Sequence, residues 1–455
     1  MKIKQLVLTI VFLAVAINMN AQFKIDAQYR VRGQALHGYK TPIAEETDAA
    51  FHIGQRTRLN LRYATEKYST LLSVQDVRTW GDANIVNGTG VQGKSYNNMD
   101  IYEAWVNFKF TNSNLKLGRQ EMKYDDQRHI SWRNWWDTGM TYDAATFTYN
   151  KKENGLRFDI SASYNSRNSF TEKTGNDYSG VTDYFGTVNP VQTQNFFYLK
   201  KNFDDKMYVS LMAIASGYQK EGTKNVIYIT GTEGLHFNYN ATKKGKDGIF
   251  GVANAFIQNG KNNSGKKISA NMLTAQLGYR TLGKKLELSA KMERLSGHDA
   301  KDTDADYNDV VHTYNLLGGA RHPYYEGFLD YFVTPASTGN AGLMNLNFKA
   351  SYKLSPKDIL WFEFSNVSTV TNAKVNIGSI ESPNIFIADK GTMANTVDFT
   401  YTRKINKDIK WMNGFSYGMP SDDFNTMRKV TDAGTNFTFY TMVIFTPKFF
   451  DSSKK

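Results

Sequence analysis

The chain has 455 residues, with 55 lysines and arginines against 43 aspartates and glutamates, and it has no cysteine. The lack of cysteine excludes disulfides, thiolate metal sites and a cysteine nucleophile. No apolar run of roughly twenty residues follows the N-terminal segment, which excludes a helical membrane protein but not one that spans with strands.

The N-terminal segment, residues 1–21, has the layout of a secretory signal peptide. Two lysines precede an apolar centre from Leu6 to Ile17, and the small residue Ala21 follows. This layout is too short and wrongly flanked for a spanning helix. We therefore predict an exported protein whose single domain covers residues 22–455.

From residue 22 to the C-terminus, apolar and polar residues alternate with a period of two, and helical spacing is hard to find. The fold class predicted from this pattern is all-β. Eighteen segments fit strands, at residues 22–36, 50–64, 68–80, 100–111, 114–124, 141–150, 155–166, 193–202, 206–218, 226–241, 249–259, 269–280, 285–296, 342–353, 358–369, 393–403, 408–419 and 435–446.

The connections between these segments alternate between short and long. Tight polar turns such as 111–114, 202–206 and 354–358 are separated by long loops such as 81–99, 166–192 and 297–341. Short turns at one rim and long loops at the other are typical of an outer-membrane barrel with short periplasmic turns and long extracellular loops. We therefore predict a transmembrane antiparallel barrel of about 18 strands, in the outer membrane of a Gram-negative bacterium. A secreted β-sandwich lectin is an alternative to the barrel, and it would be soluble without detergent.

The first two predicted strands separate apolar from basic residues. Phe23, Ile25 and Val31 alternate with arginines in the first strand, and Phe51, Leu59 and Leu61 do so in the second. An arginine facing lipid at mid-bilayer costs about 2–4 kcal/mol, so the apolar set should face lipid and the basic set the lumen. The predicted lumen arginines are Arg30, Arg32, Arg56, Arg58 and Arg62.

Later segments add further lumen candidates. In the third strand, the adjacent apolar residues Leu71 and Leu72 do not show which set of alternate residues faces inward. These candidates are Asp76, Arg78, Glu103, Arg119, Glu121, Arg128 and Asp143. The arginines could simply pair with lumen acids and stiffen the wall. On the first two strands, however, they outnumber the acids, which favours a surplus positive potential for an anionic solute.

One region resembles a known family. In residues 115–149, a strand ends in Leu117-Gly118-Arg119-Gln120 and is followed by Tyr124, Asp126, Gln127 and Arg128, an aromatic-rich loop and a strand starting near Tyr142. This arrangement, with VQDVRTWG at 74–81 before it, resembles the alginate export family of outer-membrane barrels. The resemblance implies an eighteen-stranded barrel with an arginine-rich pore that passes a polyuronate. It also implies pore roles for Arg78, Arg119, Gln120, Asp126 and Arg128.

Two loops carry candidate binding residues. Trp132, Trp135 and Trp136 could stack on a sugar, although interface or loop packing is the more ordinary role of tryptophan. Asp302, Asp304 and Asp306 are spaced like the start of a calcium loop, but Tyr307 stands at the sixth position, where glycine is needed. An EF-hand is excluded, a looser calcium site near these aspartates is the alternative, and we otherwise expect no cofactor.

The chain carries no recognised catalytic motif, and neither H-E-x-x-H nor G-x-S-x-G occurs. We predict a monomeric, non-enzymatic channel in outer-membrane lipid that passes anionic solutes, with an acidic polysaccharide such as alginate as a candidate. Periplasmic export or assembly partners would fit such a channel, whereas a nucleic-acid partner would not. The alternative is a surface binding protein or hydrolase that works through its long loops.

Overall fold

The computed structural model describes residues 21–38, 41–81, 99–164, 191–219, 227–242, 246–317, 319, 328, 332 and 334–453. The predicted signal peptide lies outside this part of the chain except for Ala21, and so do most residues of the predicted loops at 81–99 and 166–192. None of the helices in the described ranges is long and apolar enough to cross a membrane.

Eighteen antiparallel strands form one closed sheet, which confirms the predicted barrel. Each strand pairs with the next one along the chain, and β1 also pairs with β18, so the sheet has no free edge. Two residues, 446 and 447, interrupt β18 before its continuation Lys448–Asp451. The strands are β1 Gln22–His37, β2 Ala50–Ala64, β3 Tyr68–Thr79, β4 Met99–Lys109, β5 Ser113–Gln120, β6 Tyr142–Lys151, β7 Leu156–Ala162, β8 Val191–Asn202, β9 Met207–Gln219, β10 Ile227–Asn240, β11 Gly248–Gly260, β12 Ala270–Thr281, β13 Leu286–Leu295, β14 Leu343–Lys353, β15 Asp358–Ser368, β16 Thr392–Lys404, β17 Ile409–Pro420 and β18 Asn436–Phe445.

The loops carry a few short elements. Helix α1 covers Ala305–Asn308 and α2 covers Asp422–Met427. Two small sheets lie in the long connections: Lys267–Ile268 pairs in parallel with Val310–Val311, and Ala373–Asn376 pairs with Ile385–Ala388. The predicted alternation of connections is confirmed, because short turns join β2 to β3 and β4 to β5, whereas longer segments join β3 to β4 and β5 to β6.

The period of two follows from the two environments of the wall. Successive side chains of a strand point to opposite faces, and directly paired residues on neighbouring strands point to the same face. Arg30 on β1 is paired with Arg56 on β2, and both are buried on the inner face. Outward positions carry exposed apolar side chains, for example Leu59, Leu211 and Leu277.

Aromatic side chains gather on the outer face near the short-turn rim. Tyr149 stacks on Phe158 with ring centroids 5.2 Å apart, and Tyr401 meets Trp411 edge-on at 6.0 Å. Rings of amphipathic aromatic residues suit the boundary between hydrocarbon and lipid headgroups. The outer face therefore has the apolar band and the aromatic girdle of a wall that spans a membrane.

The lumen near the long-loop rim contains a hydrophobic core built from loops and inner wall. Tyr314 and Phe332 of the connection between β13 and β14 are fully buried, as is Phe424 of α2. They pack with inward residues of the wall such as Phe256 on β11 and Met272 on β12. The loops are therefore folded onto the inner wall at this rim.

Candidate functional site

The connection between β5 and β6, residues 121–141, folds into the barrel and is called the inward segment here. It follows Gln120, where β5 ends, so the predicted strand at 114–124 ends four residues early. Its first residue, Glu121, stays near the wall: Tyr102 donates a hydrogen bond to the Glu121 carboxylate at 2.7 Å, and the Glu121 amide donates to Glu103 at 3.0 Å.

The first half of the inward segment is anchored to β8, β9 and β11. Tyr198 and Ser210 both donate to the Asp125 carboxylate, at 2.8 and 2.7 Å. The Asn254 side chain donates to Asp126 at 2.8 Å. These contacts fix the chain where Asp125 itself adopts a left-handed backbone conformation, with φ of 48°.

The middle of the inward segment is anchored to β13 and to the loop after it. The Arg128 guanidinium lies 2.7 Å from the Glu293 carboxylate, and both side chains are buried. The buried ring of His129 shares a 2.7 Å hydrogen bond with the Tyr314 hydroxyl. Burial lowers the pKa of His129 to about 4, because the charged form would lose its hydration. His129 is therefore neutral at ordinary pH.

The end of the inward segment lies against the arginine cluster, which comprises Arg30, Arg32, Arg56 and Arg58. The Asp137 carboxylate lies 2.5 Å from Arg30 and 3.1 Å from Arg32. Main-chain carbonyls also accept from the cluster: that of Trp136 from Arg30 at 2.9 Å and from Arg56 at 3.1 Å.

Arg58 is held by a separate set of contacts on the same side of the lumen. It donates to the Gln75 side chain at 2.6 Å and to the Thr138 carbonyl at 3.2 Å. Its guanidinium carbon lies 3.4 Å from the ring centroid of Tyr102. Gly139, with φ of 69°, passes so close that a Cβ there would lie 2.6 Å from an Arg58 nitrogen.

The charges at this site do not balance. Within the described ranges, three of the four guanidinium groups of the arginine cluster form ion pairs, Arg30 and Arg32 with Asp137 and Arg58 with Glu121. Burial by itself raises the pKa of Asp137, but Arg32 and Arg30 beside it lower that pKa below its ordinary value. The Asp137 carboxylate is therefore ionised, and the cluster keeps a positive surplus.

Other predicted site residues on the inner face have local partners. Arg62 lies near the short-turn rim and pairs with Asp26 at 2.9 Å. Glu103 accepts from the Trp105 indole at 3.0 Å. Gln120 is buried and donates to the carbonyls of Gly118 and Ala144, which ties β5 to β6. Together with Asp126 and Arg128 in the inward segment, these residues lie inside the barrel, and a role in transport stays a prediction for each.

The third strand places Asp76 and Arg78 on the outer face, not on the expected inner one. Leu71 is 2% exposed and points inward, so Leu72 and every second residue after it point outward. Asp76 is paired with the outward Thr57, and its carboxylate holds Arg78 at 2.5 Å. Because Leu71 and Leu72 are both apolar, the sequence does not show which residues of this strand face inward. Asp76 and Arg78 form their ion pair near the long-loop rim.

Arg119, together with Asp143, also differs from its expected inner position. It is paired in register with Ala104 and Asp143, on the same face as Leu117 and Leu115. It forms a 2.9 Å ion pair with Asp143, and both side chains are well exposed. An arginine at the end of an outward face reaches the polar boundary of a membrane and finds a partner there.

Sequence reasoning missed Asp137, the residue with the closest ion pair to the cluster. The sequence predicts sugar stacking or packing for the aromatic loop around it, and the structure shows packing for Trp135, whose ring centroid lies 5.2 Å from that of Tyr440. An isolated aspartate after two tryptophans gives no pattern that would place it beside arginines about 100 residues earlier.

The acidic loop has a structural use for its carboxylates. Asp304 caps α1 by accepting from the amides of Asp306 and Tyr307, and Asp302 accepts from the Asp304 amide. Among the residues that the structure describes, no group of three His, Asp or Glu is arranged to hold a metal ion.

Residues 21–310 match the family model described as alginate export, which is more than half of the chain. The chain belongs to the alginate export family. Among curated proteins, none matches its sequence.

Solved structures of outer-membrane proteins share the fold of this chain. OccK5 (OpdH) from Pseudomonas aeruginosa has 12% identity and a TM-score of 0.55, over 94% of this chain and 99% of that one. A BenF-like porin from Pseudomonas fluorescens Pf-5 has 10% identity and a TM-score of 0.57, over 94% and 99%. OpdK from Pseudomonas aeruginosa, solved with vanillate, has 9% identity and a TM-score of 0.58, over 94% and 99%.

This alginate export family member is therefore an outer-membrane channel for solutes and not an enzyme. The comparisons also place it in the outer membrane of a Gram-negative bacterium. In that setting the short turns are periplasmic and the long loops extracellular. The arginine cluster and the inward segment then lie within its lumen.

Proposed function

We propose that this channel prefers anionic solutes and that an acidic polysaccharide such as alginate is among them. The observation that carries the proposal is the excess positive charge of the arginine cluster, which lies on the inner faces of the adjacent strands β1 and β2. Guanidinium groups in a confined lumen replace part of the hydration of a carboxylate and offer paired donors, which lowers the entry barrier for anions.

The comparisons support a carboxylate as the recognised group. The family description names alginate, a polymer of uronic acids, and one solved neighbour was crystallised with vanillate, which also carries a carboxylate. A carboxylate and a planar guanidinium form two parallel hydrogen bonds. Binding at each arginine must stay weak enough for release if solutes are to pass.

Removal of two cluster arginines should reduce the preference for anions. In a planar bilayer under a salt gradient, the wild type should give the reversal potential of an anion-selective channel. Arg56→Ala with Arg58→Ala should lower the anion-to-cation permeability ratio severalfold, because two fixed positive charges leave the lumen.

The control for this experiment removes the same charge from the outer face. Arg78→Ala with Arg119→Ala deletes two guanidinium groups that do not face the lumen. Its reversal potential should equal that of the wild type. Cation preference in the wild type, or equal changes in both double variants, would contradict the proposed anion selectivity.

We also propose that the channel is a monomer with periplasmic export or assembly partners. The monomer is supported by the closed sheet: β1 pairs with β18 of the same chain, so no strand edge is left for a second copy. The partners are supported only by the family description, which names export. The signal peptide at residues 1–21 stays a prediction.

A further inference from the structure

The Asp137 carboxylate is bound like a ligand by two arginines of β1, and an arginine of β2 holds the main chain of the same residue. Arg30 donates to its Oδ1 at 2.5 Å, and Arg32 donates to Oδ1 at 3.2 Å and to Oδ2 at 3.1 Å. Arg56 completes the group by donating to the Asp137 carbonyl at 3.3 Å. One carboxylate is thus held by side chains from the wall, although it belongs to a loop.

The wall leaves room for this carboxylate. Gly54 on β2 faces it, and a Cβ at that position would lie 2.8 Å from Asp137 Oδ2. In the described part of the chain, the Nε atoms of Arg30, Arg32 and Arg56 are buried and have no hydrogen-bond partner. The arginines therefore have donors that the inward segment does not use, around a space shaped for one carboxylate.

We propose that Arg30, Arg32 and Arg56 form a binding site for the carboxylate of the transported solute, and that Asp137 is a tethered competitor that occupies it. This inference rests on the proposed anion selectivity. The solute class is a uronic acid or another organic acid whose carboxylate can accept bidentate hydrogen bonds. The exchange replaces one carboxylate by another and involves no covalent step.

The anchoring of the inward segment suits such an exchange. Its first half is fixed to β8, β9 and β11 through Asp125 and Asp126, and its middle to β13 through Arg128. Asp137 lies nine residues beyond Arg128, so the end of the inward segment can move away from the arginines while these anchors stay in place. The apparent affinity for a solute is then reduced by the fraction of time that Asp137 fills the site.

The test measures block of single-channel current by glucuronate, with neutral glucose as the reference solute. Asp137→Asn should lower the half-blocking concentration of glucuronate by about tenfold, since the charged competitor is gone. Gly54→Ala keeps every charge but fills the space in which the site holds a carboxylate, so it should raise the half-blocking concentration of glucuronate. Glucose should not block either variant more than the wild type.

The matched control removes another lumen carboxylate. Glu287→Gln deletes one negative charge on the inner face of β13, where Glu287 pairs with Arg280. Its block by glucuronate should equal that of the wild type, and an equal gain there would overturn the inference. An anion-selective wild type with unchanged block in both Asp137→Asn and Gly54→Ala would also overturn it. A cation-selective wild type would instead overturn the proposed function.

Discussion

Arg128→Ala should lower the free energy of unfolding by about 3 kcal/mol, because it breaks a buried ion pair and leaves a charged carboxylate behind. The side chains of Arg128 and Glu293 are 5% and 4% exposed, and their charged atoms lie 2.7 Å apart. After the substitution Glu293 keeps Lys291 at 3.5 Å, which places the expected loss at the low end for such pairs. Urea denaturation in detergent, followed by tryptophan fluorescence, measures it.

The same variant should raise single-channel conductance, since Arg128 fixes the middle of the inward segment across the lumen.

The control for the stability measurement is the double variant Arg128→Met with Glu293→Met, which removes both charges and should cost less stability than Arg128→Ala. Breaking an exposed ion pair typically lowers the free energy of unfolding by less than about 1 kcal/mol. A loss that small in Arg128→Ala would contradict a buried anchor.

Leu277→Arg should destabilise the folded barrel by roughly 2 kcal/mol, because it places a cation in the hydrocarbon band. Leu277 lies on the outer face of β12, is 66% exposed, and is paired with Gly251 and Ala290. The matched control is Gln276→Arg, one residue earlier on the inner face, where the cation meets the lumen. Its cost should stay near that of one lost hydrogen bond, from Gln276 to Ser289 at 3.2 Å.

Urea titration in lipid vesicles separates these two variants, and the difference between their unfolding free energies reports the direction of the wall. Equal costs would mean that the two faces of β12 meet the same solvent. Such a result would contradict the membrane-spanning wall and with it the orientation of every strand paired to β12.

Much of the wall could be predicted from the sequence, because two solvents impose a period of two that each strand repeats. The register of β1 with β2 shows how far this reasoning reaches: Arg30, Arg56 and Arg58 all face inward as expected. The strand count and the alternation of turns and loops follow from the same constraint, since every strand must return across the same hydrocarbon thickness.

The pattern fails where a strand meets the rim of the membrane. Leu71 and Leu72 are both apolar, yet one lies inside and the other outside. Near the polar boundary, charged residues such as Arg78 and Arg119 can stand on the outer face, where phase and polarity no longer agree. A sequence rule that equates charge with lumen therefore misplaces residues at strand ends.

The candidate site could be predicted only in part, for a different reason. The excess of arginine over acid on β1 and β2 is visible locally, but Asp137, whose carboxylate pairs with that cluster, lies in a loop 81 positions after Arg56. Periodicity carries no information on where an aperiodic connection folds. The ion pairs and hydrogen bonds of the inward segment with the wall join residues far apart in sequence, so no local pattern predicts them.

The seam between β1 and β18 has a consequence for how the barrel is made. It joins residues at opposite ends of the chain, as in the hydrogen bond between Gln22 and Asp451, 429 positions apart. Contacts of such separation form late because loop-closure entropy must be overcome first. Until then a nascent sheet exposes two unsatisfied borders, which attract other extended chains. Assembly of the barrel thus requires a catalyst that shields the unpaired edges of β1 and β18 until the barrel closes.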